Sequence, residues 1–368
     1  MSYAFSDLTN NTTALDSAAM AAAQQRLDSL TKPIGSLGRL EEIVVQLAGI
    51  NGTPHPRADK KAIIIMCADN GVVDEGVSSC PRSVTASVTE NFTRGITGIN
   101  VFSRLTDAEL VIVDIGVDAD ITAGGIINRK LRKGTWNMAK GPAMTYQEAQ
   151  KAILTGIELV QQLKNRGVNM LATGEMGIGN TSTSSAIAAV LTGCSVEKVT
   201  GIGSGLSRES YSNKISVIKR AIEVNQPLAS DPVDVLAKVG GFDIAGLAGC
   251  FLGAAIHRIP IMMDGFISAA AALIAVNICK EVKNFILPSH GSAEPGTEMI
   301  MKALGMVPML NLGMRLGEGT GAALGFQLVD AALAAYTQMG SFDDAKIEQY
   351  EHQELGGSGH VSGKSPFK

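Results

Sequence analysis

The chain has 368 residues, of which 45% are hydrophobic and 18% charged, so it can bury the core of one large or two modest domains. This composition excludes an intrinsically disordered chain. The formal net charge of −4 argues against a protein that binds nucleic acid or anionic membranes through bulk electrostatics. With 41 glycines and only 4% aromatic residues, the chain is suited to tight turns rather than to stacking on single-stranded nucleic acid.

The positions of the cysteines and of the apolar runs indicate the cellular compartment in which the protein is expected. The longest uncharged apolar run, roughly 265–279, is shorter than the ~18 residues that a membrane span requires. The N-terminus shows no basic region followed by an apolar stretch. The five cysteines are scattered and the histidines show no metal-ligand spacing. We therefore expect a cytoplasmic protein with reduced thiols and no metal.

In the first half of the chain, helices precede strands. Residues 16–49 carry apolar side chains at helical spacing, interrupted by TKPIGSLG. The continuous apolar runs at 61–68 and 109–114 predict buried strands, and 146–165 predicts a helix.

In the second half, predicted strands and helices alternate. Residues 168–193 predict a strand, a glycine turn and a helix, and the alternation continues from 240 to 291. This order predicts an α/β fold with a largely parallel sheet, in which ligands bind at the carboxyl ends of the strands.

The two chain ends differ from the middle. Residues 1–50 contain no predicted strand, and one long helix follows residue 317. We expect residues 1–55 and 330–345 to form a small helical subdomain beside an α/β domain at 56–329. The polar segment 346–368 is typical of a flexible tail.

A glycine turn at 173–182, TGEMGIGNTS, is the strongest local signal. Its glycines allow a tight turn, and free N–H groups at the start of a helix bind anions. The segment therefore predicts a phosphate cradle, although an ordinary glycine turn whose helix is capped by Asn180, Thr181 or Ser182 explains it equally well.

The same turn nearly matches the dinucleotide-binding pattern GxGxxG, with Ser182 in place of the third glycine. Glu197 follows at the distance of a ribose-binding acid. A nicotinamide-dependent oxidoreductase is therefore an alternative.

A second glycine turn, at 200–205, is followed by Lys214 on a basic helix. A lysine there could add a point charge to a phosphate site. From the residues alone, a solvated lysine on a helix surface is the more ordinary interpretation.

Three carboxylates follow glycine turns or strand ends. Glu318 lies between two glycines before an apolar helix, where it is either a first-turn charge or, beside Met314 and Leu316, a general base with a raised pKa. Glu175 has a similar setting. Asp264 could orient a ribose hydroxyl or cap the helix that follows it.

Taken together, these segments resemble one family. From about residue 15 to 340 the chain resembles the nicotinate-nucleotide–dimethylbenzimidazole phosphoribosyltransferase (CobT) family. The segments that carry the resemblance are KPIGSLGRLE, MCADNGVVDEGV, GEMGIGNTS, VGGFDIAGLAG, MMDGF, PSHGSAE and MRLGEGTGAALG.

The resemblance implies a Rossmann-like sheet with a small helical domain built from both chain ends. It also implies a homodimer in which Ser36 and Gly38 lie near the partner's site, although a heterodimer with a paralogue is an alternative.

The implied reaction moves the phosphoribosyl group of nicotinate mononucleotide to a cobamide lower-ligand base, giving nicotinate and an α-ribotide without a cofactor. Glu318 would act as general base, with Glu175 beside it at the reacting end. The residues expected to hold phosphate and ribose are Gly177, Gly179, Asn180, Thr181, Gly201, Gly203, Lys214 and Asp264.

Two departures concern the acceptor. The expected acceptor pocket consists of Cys80, Val88, Met314 and Leu316, and the first two stand where the family often carries serine and glutamine. The ADHG pattern reads ADNG, with Asn70. Because the pocket is more apolar, we expect 5,6-dimethylbenzimidazole to be only modestly favoured as the acceptor over a phenol such as p-cresol. Purines are further candidate acceptors. A poorly active subunit that pairs with an active paralogue is a further alternative.

Overall fold

The computed structural model describes residues 12–203 and 205–348, with a six-stranded sheet at the centre. The strands lie in the order β3-β2-β1-β4-β5-β6, and all neighbouring pairs are parallel. In chain order they are β1 (Lys61–Ala68), β2 (Glu109–Gly116), β3 (Ile126–Asn128), β4 (Met170–Met176), β5 (Ile261–Met263) and β6 (Ile286–Pro288). The predicted parallel α/β fold is therefore confirmed, with the strand order typical of a Rossmann-like sheet.

The strand order reverses between β1 and β4. Ile64 of β1 pairs with Val111 of β2 on one side and with Thr173 of β4 on the other. Connections on the two sides of such a switch point leave a crevice at the carboxyl ends of the strands. We therefore expect a ligand site at the carboxyl edge of the sheet.

Helices cover both faces of the sheet. Alternate residues of β1 point to opposite faces, so Ala62 and Ile64 join one apolar core and Ile63 and Ile65 join the other. Because both faces are buried, β1 is a continuous apolar run. The helices are α1 (Ser17–Ser29), α2 (Arg39–Asn51), α3 (Val84–Arg94), α4 (Gly98–Leu105), α5 (Tyr146–Asn165), α6 (Asn180–Thr192), α7 (Val196–Val199), α8 (Arg208–Asn225), α9 (Pro232–Val239), α10 (Phe242–Ile256), α11 (Phe266–Ile278), α12 (Pro295–Leu304), α13 (Thr320–Gln338) and α14 (Phe342–Ala345).

On the face that carries α5 and α10, small residues bring the two helices close together. A Cβ on Gly249 would lie 1.9 Å from the Ile153 carbonyl oxygen, and one on Gly156 would lie 2.1 Å from the Gly246 oxygen. Only glycine fits at these contacts, which accounts for part of the glycine content.

On the other face, α1, α2 and α13 from the two chain ends pack together. Lys61 at the start of β1 forms an ion pair with Asp330 of α13, and the Tyr336 hydroxyl donates to the Pro54 carbonyl at 2.7 Å. Phe326 and Val329 of α13 share one apolar core with α2 and the sheet. The predicted boundary at 329/330 lies inside α13, and the division into two domains stays a prediction.

The predicted elements at 61–68 and 146–165 have the observed bounds of β1 and α5. No element is predicted for residues 72–108, which contain α3 and α4. The expected tail at 346–368 lies mostly outside the described residues. Within those residues, no helix combines the length and apolarity that crossing a bilayer requires.

Candidate active site

A cavity of about 250 Å³ opens at the carboxyl ends of β4, β5 and β6. The connections that follow these strands form most of its wall, and Ser78, Val88 of α3 and the loop at 315–318 complete it. Polar and charged side chains from separate parts of the sequence therefore meet at the predicted edge of the sheet.

Most of the predicted site residues line this cavity. They are Val88, Glu175, Gly177, Gly179, Asn180, Thr181, Gly203, Asp264, Leu316 and Glu318. Four predicted residues do not line it, namely Cys80, Gly201, Lys214 and Met314.

Glu318 lies in a loop of left-handed backbone. Its φ of +61° follows +82° at Gly317 and precedes +90° at Gly319. A non-glycine residue is rare in this region, and strain of this kind, about 1–3 kcal/mol, is concentrated at functional sites. The surrounding structure therefore holds the glutamate in an unfavourable backbone conformation.

The Glu318 carboxylate meets a helix other than its own. Its Oε2 accepts a hydrogen bond from the Ile99 backbone N–H at 3.2 Å, at the start of α4. The interpretation as a first-turn charge on α13 is therefore wrong for the side chain, because the carboxylate complements the N-terminus of α4 instead.

Burial raises the pKa of Glu318 above its ordinary value, and the nearby Asp264 charge adds to this, while hydrogen bonds from the backbone of Ile99 and Gly98 act in the opposite direction. A carboxylate with a raised pKa takes up a proton more readily. Its position beside a cavity therefore suits general-base chemistry.

Glycines allow the loop to pack directly on β4. A Cβ on Gly174 would lie 2.5 Å from the Glu318 carbonyl oxygen, and one on Gly317 would lie 2.3 Å from Oε1 of Glu175. Both distances are too short for a real side chain, so the two glycines set the distance between the loop and the strand.

Asp264 holds the start of α13. Its two carboxylate oxygens accept from the backbone N–H groups of Gly319, at 3.1 Å, and Ala322, at 3.0 Å. The expectation that it caps the helix following it, α11, is therefore wrong, since it caps α13. Its role toward a ribose stays a prediction.

Asn180 connects two buried carboxyl groups. Its side-chain N–H₂ donates to Glu175 Oε2 and, at 3.1 Å, to Asp243 Oδ2. Asn180 does not cap α6, because that cap is Gly179 with a φ of +93°, and no side chain caps this helix. The capping role that the sequence offered for Asn180, Thr181 or Ser182 is thus wrong.

Both carboxyl groups are driven toward the protonated state. Burial, with the charge of Asp243 beside it, raises the pKa of Glu175 to about 8. Burial likewise raises the pKa of Asp243 to about 7, against the hydrogen bond from Asn180. Asp243 was missed from the sequence because it lies 63 residues from Asn180.

One end of the cavity is suited to an anion. α6 and α11 both begin there without a side-chain cap, and residues 265–268 of the α11 start line the wall. Uncapped N–H groups at helix starts attract phosphate and carboxylate groups.

Lys214 lies outside the cavity wall, and its ammonium group contacts Thr181 at the start of α6. Its side chain is buried, and Nζ donates to Thr181 Oγ1 at 2.9 Å and to the Gly201 oxygen at 3.3 Å. Burial lowers the pKa of Lys214 to about 8, although the Glu294 charge opposes this. The interpretation as a solvated surface lysine is therefore wrong.

Glu197, by contrast, is exposed and forms an ion pair with Lys219 outside the cavity wall. That position gives no support to the ribose-binding acid of a dinucleotide site.

Several lining residues were not predicted as site residues. Among them are Ser78, Phe266, His290, Ser292, Glu294 and Arg315. His290, Ser292 and Glu294 follow β6, and polar residues directly after a parallel strand are the signal that could have identified them. Ser78, rather than Cys80, contributes to the wall from the loop before α3.

Comparison with known proteins shows the family to which the chain belongs. A family model described as "Phosphoribosyltransferase" matches residues 12–347. The chain belongs to this phosphoribosyltransferase family. A relative in Ruminiclostridium cellulolyticum is 63% identical over 350 residues, covering 95% of this chain and 99% of its own.

Further members of the phosphoribosyltransferase family support the assignment. A relative in Clostridium acetobutylicum is 64% identical over 337 residues, covering 92% of this chain and 96% of its own. Both relatives are named nicotinate-nucleotide–dimethylbenzimidazole phosphoribosyltransferase. The crystal structure of CobT from Thermus thermophilus matches with a TM-score of 0.86 and 37% identity, over 90% of this chain and all of that one. The resemblance seen in the sequence is thereby confirmed.

Proposed function

We propose that this phosphoribosyltransferase moves the phosphoribosyl group of nicotinate mononucleotide to a cobamide lower-ligand base, 5,6-dimethylbenzimidazole or a similar aromatic, with release of nicotinate. The observation that carries the proposal is the Glu318 carboxylate, half-buried beside the cavity with a raised pKa. The names of relatives more than 60% identical support the same reaction.

The donor is proposed to bind with its 5′-phosphate at the starts of α6 and α11. Support comes from their uncapped N–H groups and from Lys214, whose ammonium lies behind Thr181. Gly177, Gly179 and Gly203 would let the backbone approach the phosphate and ribose closely.

In the proposed step, a lone pair of the acceptor forms the new bond to C1′ of the ribose. The bond from C1′ to the pyridine nitrogen breaks on the opposite face, and its electron pair returns to that nitrogen, so the configuration inverts to α. The acceptor loses its N–H or O–H proton to Glu318. Glu175, with a pKa near 8, would remain protonated beside it and limit the negative charge.

The acceptor is proposed to lie against the apolar part of the wall, which includes Val88, Met176, Ile178 and Leu316. Apart from the Met176 thioether, a weak acceptor, these side chains offer no hydrogen-bond partner to a benzimidazole nitrogen. The apolar wall keeps a phenolic acceptor as the second candidate, since Glu318 would take the phenol proton in the same way.

The direct test is to incubate the purified protein with nicotinate mononucleotide and, separately, 5,6-dimethylbenzimidazole, phenol, p-cresol and adenine, and to identify the products by mass. An α-ribotide of 5,6-dimethylbenzimidazole together with released nicotinate is expected. Absence of any ribotide with every acceptor would favour the poorly active subunit that pairs with a paralogue.

The acceptor preference is tested with Val88→Gln. The new amide would place a donor and an acceptor in the apolar wall, so the ratio of kcat/KM for 5,6-dimethylbenzimidazole over phenol should rise by about tenfold, the effect of one hydrogen bond of about 1.4 kcal/mol. Val88→Leu preserves the apolar surface and serves as the control. An unchanged ratio in Val88→Gln would mean that the acceptor does not contact this position.

We further propose a cytoplasmic homodimer. In the described residues no disulfide bond joins any of the five cysteines, which is typical of a reducing compartment. Ser36 and Gly38 are exposed and lie outside the cavity wall of their own chain, as residues reaching a partner's site would. Sedimentation analysis that gives a monomer mass would contradict the dimer.

A further inference from the structure

The charge balance of the cavity wall is unusual for a site that takes an anionic donor. Four acidic side chains line it, Glu175, Asp264, Glu294 and Glu318, of which Glu175 is driven toward the neutral form. Arg315 is the one lysine or arginine that lines it in the described part of the chain.

The Arg315 guanidinium is exposed and makes no hydrogen bond or ion pair with any residue in 12–203 or 205–348. Arg132 and Arg258, elsewhere in the fold, are held by carboxylate or carbonyl oxygens. A guanidinium carries five N–H donors in a planar fork, so Arg315 has its full set available to a ligand.

The backbone next to Arg315 is nevertheless fixed. The segment before it runs beside the connection that follows β6, since the Gly291 N–H donates to the Leu310 oxygen at 2.8 Å and the Ala293 N–H donates to the Met314 oxygen at 3.0 Å. Arg315 thus starts from an anchored position at the cavity wall, three residues before Glu318.

From this arrangement we infer that Arg315 binds an oxyanion of the donor and thereby selects it. The inference rests on the proposed function, in which the donor carries two such groups, the 5′-phosphate and the pyridine carboxylate. A planar guanidinium matches either group through two parallel N–H···O bonds. Its charge also offsets the carboxylates that would otherwise repel the donor.

The experiment measures dissociation constants by titration calorimetry for wild type, Arg315→Ala and Arg315→Lys. The three ligands are nicotinate mononucleotide, nicotinamide mononucleotide, which lacks the carboxylate, and nicotinate riboside, which lacks the phosphate. Arg315→Ala is expected to weaken nicotinate mononucleotide about 10- to 100-fold, and Arg315→Lys to restore part of this.

The three ligands distinguish whether Arg315 binds the carboxylate or the phosphate of the donor. If Arg315 holds the carboxylate, the loss in Arg315→Ala persists with nicotinate riboside and vanishes with nicotinamide mononucleotide. If it holds the phosphate, the loss persists with nicotinamide mononucleotide and vanishes with nicotinate riboside. Either pattern supports the inference, whereas an equal loss for all three ligands, or a change below twofold, overturns it.

Arg57→Ala is the matched control, because Arg57 is an exposed arginine just before β1, at the amino end of the sheet. Gel filtration of each variant checks assembly, and a change of mass in Arg315→Ala would assign the loss to the oligomer and overturn the inference. If wild type binds none of the three ligands, the proposed function fails as well. If wild type binds and Arg315→Ala binds equally, the inference fails alone.

Discussion

Glu318 combines two features that oppose each other. The hydrogen bond at 3.2 Å from the Ile99 N–H favours the ionised carboxylate, whereas burial and Asp264 favour the protonated form. The net shift of the pKa is upward, so the carboxylate binds a proton more readily than an ordinary glutamate does. A general base benefits from such a shift.

We expect Glu318→Gln to lower kcat by about 10²–10⁴-fold, since the amide cannot accept the acceptor's proton. The affinity for nicotinate mononucleotide should remain, because the proposed phosphate contacts are elsewhere. Steady-state kinetics and calorimetry measure the two quantities. Glu298→Gln, a surface change on α12, is the control, and a kcat within threefold of wild type would remove Glu318 from the role of base.

The buried pair Glu175 and Asp243 gives a pH signature. Unfolded, both carboxyls ionise near ~4. Folded, they ionise near about 8 and about 7. Between these pKa values the folded protein retains protons that the unfolded chain has released. The contribution of the two carboxyl groups to the free energy of unfolding is therefore full below pH ~4 and is lost as the pH rises through the folded pKa values. The loss is about 1.4 kcal/mol per pH unit for one proton.

The Asp243→Asn variant is expected to flatten this dependence. Urea unfolding at pH 5, 6, 7 and 8 measures the free energy of unfolding, which should fall more steeply with pH in wild type than in Asp243→Asn. Asp107→Asn, on the surface, should keep the wild-type slope. Parallel slopes for wild type and Asp243→Asn would mean that Asp243 is ionised throughout.

Among the secondary-structure elements, β4 and the loop at 317–319 depend on each other. Because a Cβ on Gly174 would lie 2.5 Å from the Glu318 oxygen, Gly174→Ala must push the loop off the strand. We expect a loss of about 1–3 kcal/mol in stability and at least a tenfold loss of kcat, because Glu318 moves.

Thermal unfolding and steady-state kinetics measure both effects of Gly174→Ala. Gly141→Ala is the control, since a Cβ at Gly141 would meet no atom within 4 Å. Wild-type kcat in Gly174→Ala would show that the loop tolerates the displacement.

Local pattern was enough to predict β1, α5 and the strand–turn–helix around Gly177, because buried parallel strands and amphipathic helices each have a characteristic spacing of apolar residues. It singled out Glu318 and Lys214 as candidates, but their expected roles came from the resemblance to the family and stay predictions. It was not enough to find their partners, since Glu318 and Ile99 lie 219 residues apart. Local pattern also missed α3 and α4. The helix α4 has only eight residues and no continuous apolar run.

At the scale of the whole molecule, Arg258 links two N-terminal segments, residues 13–14 and 49–50, to the end of α10. The Arg258 guanidinium, after α10, donates to the carbonyl oxygens of Gly49, at 2.7 Å, and Ile50, at 3.1 Å. It also donates to the Ala14 oxygen at 3.0 Å and to the Thr13 hydroxyl at 2.6 Å. These contacts lie at the amino ends of the strands, away from the cavity.

We expect Arg258→Ala to lower the free energy of unfolding by about 2 kcal/mol, because several carbonyl oxygens lose a charged donor. The kcat of the folded variant should not change. Urea unfolding and kinetics measure these quantities, with Arg94→Ala on the surface as the control. Equal stability of Arg258→Ala and wild type would contradict a structural role for these contacts.

The three successive residues at 317–319 all have positive φ, the inverse of the φ that L residues prefer. A residue of D configuration prefers such dihedral angles, as an L residue prefers their inverse. Chemical synthesis or semisynthesis that introduces D-alanine at position 317 or 319 would therefore meet no torsional penalty there, whereas L-alanine would.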